Sequence, residues 1–114
     1  MAVAEGSMRP GIEPGDWLLV DPTTTSWPRR GSLVLFREPA SDLLVIKRVG
    51  GRPDDVVATE FGQLRLTATE AWLVGDAPDS HDSRHYGPVP IERLVGRPWF
   101  RYGPPGRIGR LRRG

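Results

Sequence analysis

Apolar residues along this chain come in short runs that alternate with polar ones at a period of two. No window sustains a 3.6-residue repeat over the length of a helix, and Pro or Gly interrupts almost every stretch that begins one. The runs at 16–21, 32–37, 43–49, 56–59, 63–67 and 72–75 predict strands. A further run at 94–102 reads as a strand broken at Pro98. Phe61-Gly62 stands between two runs as a hairpin turn, and residues 28–31 and 39–42 read as loops. The predicted fold is compact, mostly β and antiparallel, with one core in one domain.

Alternation also says where individual side chains point. In the 43–49 run, Leu43, Val45, Lys47 and Val49 share one face. Lys47 is the single lysine among sixteen basic residues; the other fifteen are arginines. Arg stays charged at any working pH, whereas a desolvated lysine amine loses its proton more readily and can act as a base. Two readings of Lys47 stay open on pattern alone: an amine buried among aliphatic neighbours, or one at a sheet edge reaching back to water.

Composition narrows the chemistry. There are no cysteines, so disulfides, thiolate metal sites and Cys catalysis are excluded. No run approaches the ~18 apolar residues of a membrane span, and residues 1–8 lack the pattern of a secretion signal. The expectation for the chain as given is a cytoplasmic location, or membrane association if an N-terminal anchor has been removed. The charge is uneven. Residues 101–114 hold five arginines and no acid, leaving eleven bases against fourteen acids elsewhere. This basic tail, taken as 107–114 after a body of 1–106, reads either as a solvated terminus or as a surface for phosphates or anionic lipid. Trp99 and Phe100 beside it suggest an edge for peripheral membrane contact. Nucleic acid is not an expected partner.

Three segments carry more chemistry than turns require. The first is Gly6-Ser7-Met8-Arg9-Pro10, followed by Gly15-Asp16 and an apolar strand. The second is Lys47-Arg48-Val49-Gly50-Gly51. The third is Gly75-Asp76-Ala77-Pro78-Asp79-Ser80-His81-Asp82-Ser83-Arg84, running on to Gly87-Pro88-Val89-Pro90. Asp82 and Arg84, two apart, are placed to pair and brace a loop. His81 and His85 with Asp76, Asp79 and Asp82 could be drawn as a metal site, but no metal-ligand spacing supports it, and no cofactor is expected.

In this order the segments resemble the three boxes of the type I signal peptidases: Ser-Met-x-Pro with Gly-Asp, then Lys-Arg-Val-x-Gly, then Gly-Asp-Asn through Ser-x-Asp-Ser-Arg. The resemblance spans about residues 5 to 100. It implies the partly open antiparallel barrel shared with LexA-type peptidases, and a Ser–Lys dyad acting through an acyl-enzyme. Carried over, Ser7 is the nucleophile, Lys47 the general base and the Ser7 amide an oxyanion donor. Ser80 would orient the Lys47 amine, Asp82 and Arg84 would form a structural ion pair, Asp76 would support the same loop and Met8 would line the cleft. The substrate would be a precursor polypeptide bound as an extra strand. Glu5 stands where many members have a second oxyanion-donating Ser, Ala77 replaces the usual Asn, and the third box is one residue short. The compact outline is similar to the proteases that mature nickel-type superoxide dismutase.

Two rival readings follow from the same residues. LexA-type self-cleaving proteins resemble the first two boxes but lack the third, and only six residues precede Ser7, so a peptidase acting on another chain is expected. A non-catalytic β-barrel binding module using the arginine tail gives no reason for Ser7, Lys47 and Ser80 to occur together.

Overall fold

A computed structural model describes residues 15–103, 105–106 and 108–111 of the chain. The strands are β1 (Trp17–Asp21), β2 (Leu33–Arg37), β3 (Leu44–Gly51), β4 (Val56–Thr59), β5 (Gly62–Arg65), β6 (Glu70–Val74), β7 (Val89–Pro90), β8 (Leu94–Gly103) and β9 (Gly109–Arg110). A single helical turn, α1 (Ser83–Tyr86), and a 3-10 turn at Ile91–Arg93 interrupt them. Every pairing among these strands is antiparallel. The main sheet runs β1-β8-β2-β3-β6-β7, with β9 added beside β8, while β4 and β5 form a separate hairpin. The sheet is antiparallel and does not close on itself, and every predicted strand has its counterpart.

Its two faces carry two apolar clusters. Leu18, Leu33, Leu35 and Ile46 pack together on one side. Trp27, Val34, Phe36, Val49, Ala71, Leu73 and Val89 pack on the other. Alternation along β2 explains this directly: Leu33 and Leu35 feed the first cluster, Val34 and Phe36 the second. A strand buried on both faces reads as a continuous apolar run, which is what residues 33–36 are. Trp27 anchors its loop to the second cluster and donates its indole N–H to the Thr69 carbonyl at 2.9 Å.

Three departures from the sequence reading have physical causes. Leu43 does not share the Lys47 face; it lies before the strand and is exposed. Asp42, beside it, takes a positive φ of 59° and turns the chain just there. Pro98 does not break β8, because the register with β1 shifts between Leu19 and Val20, next to the Val20–Pro98 pair. Gly96 allows the close approach of β1: a Cβ there would sit 2.7 Å from the Asp21 carbonyl oxygen. Finally, part of the basic terminus joins the sheet, since β9 pairs with β8 and Leu111 packs against the first cluster. Among the described residues no helix is long and apolar enough to cross a membrane.

Candidate active site

Lys47 sits in the middle of β3, opposite Val34 of β2 and on the side of Val45 and Val49 that faces the second cluster. It is 1% exposed. Of the two readings of this residue, the buried one holds. Alternation places Ile46 on the opposite face, and it too is buried, because both faces of the sheet are covered.

The pairing of β3 is lopsided. β2 accompanies it from Leu44 to Arg48, whereas β6 pairs only with Arg48, Val49 and Gly51. Among the described residues, 44–46 therefore have a ladder partner on one side only. Among the described residues, the main-chain groups leading up to Lys47 thus present an edge of the kind that an added strand can pair.

Beyond β6 the chain turns through 75–82 and returns as α1. Arg48 ties this loop to β3: its Nε lies 3.0 and 3.1 Å from the two carboxylate oxygens of Asp76, and its Nη1 donates to the Gly31 carbonyl at 2.9 Å. The residue after Lys47 thus fixes the loop that carries Ser80 against the strand that carries the lysine. Ser80 is buried, its amide donates to the Ala77 carbonyl, and its Oγ has no hydrogen-bond partner among the described residues. A buried hydroxyl without a partner is costly unless something is meant to meet it.

Asp82 is the hub of the loop. Its fully buried carboxylate accepts from the Gly75 amide at 2.8 Å and the Arg84 amide at 3.0 Å. It also accepts from Arg84 Nε at 2.9 Å and Nη2 at 2.6 Å. Burial alone would raise the Asp82 carboxyl, but the Arg84 side-chain bonds and the two amides outweigh it and hold the group below the ordinary carboxylate range. The same contact raises the Arg84 guanidinium against its own desolvation. Asp82 also caps α1, and its amide donates to His85 Nδ1 at 3.4 Å, which completes a capping box.

Two residues of this network have roles that the sequence reading did not assign. Buried Ser83 accepts the Leu73 amide of β6 at 2.9 Å, and so fastens the loop to the sheet. His85 takes the place of the Glu or Gln that a capping box ordinarily shows, so the motif was hidden by its last letter. His81 stacks on His85 at 4.9 Å. Among the described residues no three His, Cys, Asp or Glu side chains converge to hold a metal. Ser7, Met8 and Glu5 lie outside the described residues.

Against known proteins, the family model described as "Signal peptidase, peptidase S26" matches residues 1–70. The chain is 32% identical over 118 residues to mitochondrial ATP-independent inner membrane protease subunit 1b of Arabidopsis thaliana, covering 91% of this chain and 70% of that protein. It is 30% identical over 116 residues to human mitochondrial inner membrane protease subunit 1, covering 93% and 70%. It is 29% identical over 114 residues to a probable signal peptidase I-2 of Synechocystis, covering 74% and 52%.

Proposed function

The chain belongs to the signal peptidase family, peptidase S26, and from that premise we propose that it is a serine endopeptidase that cuts a leader from a precursor by a Ser–Lys dyad. Ser7 is the nucleophile in this reading. Its hydroxyl attacks the scissile carbonyl, Lys47 accepts the hydroxyl proton, and the Ser7 amide faces the oxyanion. The tetrahedral adduct then collapses with cleavage of the peptide bond, Lys47 passing its proton to the departing amine, and the acylated Ser7 is hydrolysed by a water that the again-neutral Lys47 activates.

The observation that carries the reading is the position of the chain's single lysine, buried at mid-strand beside an edge that is half-paired among the described residues. An ordinary surface lysine would not be placed there, since burying an amine costs several kcal/mol unless partners are provided. Ser80, whose buried Oγ has no hydrogen-bond partner among the described residues, suits the role of orienting that amine. Asp82 and Arg84 keep the Ser80 loop rigid, and Asp76 with Arg48 holds it to β3. Met8 lines the cleft. The precursor lies extended along 44–46, with recognition by main-chain hydrogen bonds and small side chains before the cut. Nothing in this mechanism requires a cofactor.

The test is peptide cleavage by the parent, Ser7→Ala and Lys47→Arg, on substrates with small residues before the scissile bond. Both substitutions should lower kcat by about a thousandfold or more. Lys47→Arg is the sharper, because it keeps a charge and removes the base. Cleavage that survives Ser7→Ala would end this reading. Labelling of Ser7 by a fluorophosphonate probe separates a competent nucleophile with a narrow substrate from a dead site.

A further inference from the structure

β6 lies on the same side of β3 that 44–46 leave without a ladder partner among the described residues. Its last rung pairs Val74 with Arg48. Antiparallel continuation sets Gly75 opposite Lys47, and there the chain turns away from the sheet. A precursor lying along 44–46 therefore occupies the row that β6 fills from Arg48 onward. Its residues before the cut can add rungs to β3. Those after the cut meet the end of β6 and must leave the edge, passing over the loop at 75–80.

One tight turn shapes that loop. The Ser80 amide donates to the Ala77 carbonyl at 3.1 Å and closes Ala77-Pro78-Asp79-Ser80. Pro78 takes the second position, where its fixed φ suits a β-turn. Ser80 is buried, whereas Pro78 and Asp79 are exposed at the corner. The two acids of the loop differ. Asp76 accepts Arg48 Nε with both oxygens, at 3.0 and 3.1 Å, so its charge is matched. Asp79 has no ion pair or hydrogen-bond partner among the described residues. The cations that follow it are engaged: Arg84 holds Asp82, and His81 stacks on His85. Adjacent Cα atoms stand about 3.8 Å apart and an extended residue spans about 3.3 Å. A carboxylate one residue from Ser80 is thus within reach of the first three residues after the cut.

We propose, on the peptidase reading above with the precursor along 44–46, that Asp79 determines specificity downstream of the cut. It favours a lysine or arginine, and disfavours an acid, among the first three residues of the released chain. The contact lies at an exposed rim, so the selectivity is modest, about two- to fivefold. The experiment uses the whole chain with Ser7→Ala, which leaves peptides uncut, and follows their binding by fluorescence anisotropy. The peptides carry small residues before the scissile bond and Lys, Gln or Glu at the first, second or third position after it. Lys should bind about two- to fivefold more tightly than Glu at one or more of these positions, with Gln between. Asp79→Asn should bring the Lys-to-Glu ratio close to one, Asp79→Lys should invert it, and salt at about 0.5 M should flatten it. A merely structural role of the turn would weaken all peptides alike and would not invert the ratio. In chains that retain Ser7, kcat/KM should follow the same order. Equal binding of Lys and Glu peptides at all three positions, no binding of any of them, or a preference that survives Asp79→Lys would overturn the proposal. The catalytic reading fails separately. A charge preference that inverts with Asp79→Lys, without cleavage by the parent, keeps Asp79 in its role and ends the Ser–Lys one, whereas cleavage without any charge preference does the reverse.

Discussion

The hairpin β4–β5 and the segment 75–86 flank β6 in sequence, and they are built in opposite ways. The hairpin has regular secondary structure but little support. All four residues of β5 are exposed, Phe61 at its tip is 92% exposed, and open cavities of about 810 and 570 Å3 lie against it. It is secured at its base, where Leu66 is buried and a Cβ on Gly51 would meet Val57 at 2.7 Å. The 75–86 segment has only one helical turn, yet Ser80, Asp82 and Ser83 are all buried. Regular backbone and fixed geometry are therefore separate properties. A loop is held as firmly as a strand when buried acceptors meet main-chain donors one by one.

Breaking the hub should show the contrast at its strongest. Asp82→Ala removes the acceptor of the Gly75 and Arg84 amides and leaves the guanidinium unpaired. Unfolding in urea should show a loss of about 3 kcal/mol, and peptide cleavage should fall with it. Ser83→Ala strands a single amide, that of Leu73, and should cost about 1–3 kcal/mol by the same measurement.

Acid should sharpen the comparison further. Because the folded Asp82 carboxyl lies below its ordinary value, its contribution is complete above the unfolded value of about 4 and is lost as pH falls through the lower folded one. Urea titrations at stepped acidic pH should therefore show a steeper decline in the parent than in Asp82→Asn. At the other extreme, Phe61→Ser in the hairpin should shift stability by less than about 0.5 kcal/mol and leave cleavage unchanged. A large effect there would mean that the hairpin is a working part.

The strands were legible because their alternation is a local property. Residues 33–37 and 56–59 could be read almost to the residue. β7 and β9, of two residues each, are too short for a period to register, and α1 is a single turn with a His where its motif normally ends. Burial on both sheet faces was not legible at Ile46 and Lys47, since alternation assigns one of two neighbours to water. The role of Asp82 was half visible: its spacing from Arg84 predicts the pair, but nothing local announces the amides of Gly75 and Arg84. Ser83 was silent, because its partner, the Leu73 amide, lies ten residues back on β6.

If the precursor binds along β3 as proposed, the half-paired strand has a consequence for which proteins can ever be cut. An edge at 44–46 that is unpaired among the described residues would ask its guest for main-chain donors and acceptors that are not already engaged. Folded proteins have committed nearly all of theirs to their own helices and sheets, whereas a leader that has yet to fold has not. Discrimination between finished and unfinished polypeptides would then need no recognition of sequence at all, because the geometry of one strand excludes whatever has already found its structure.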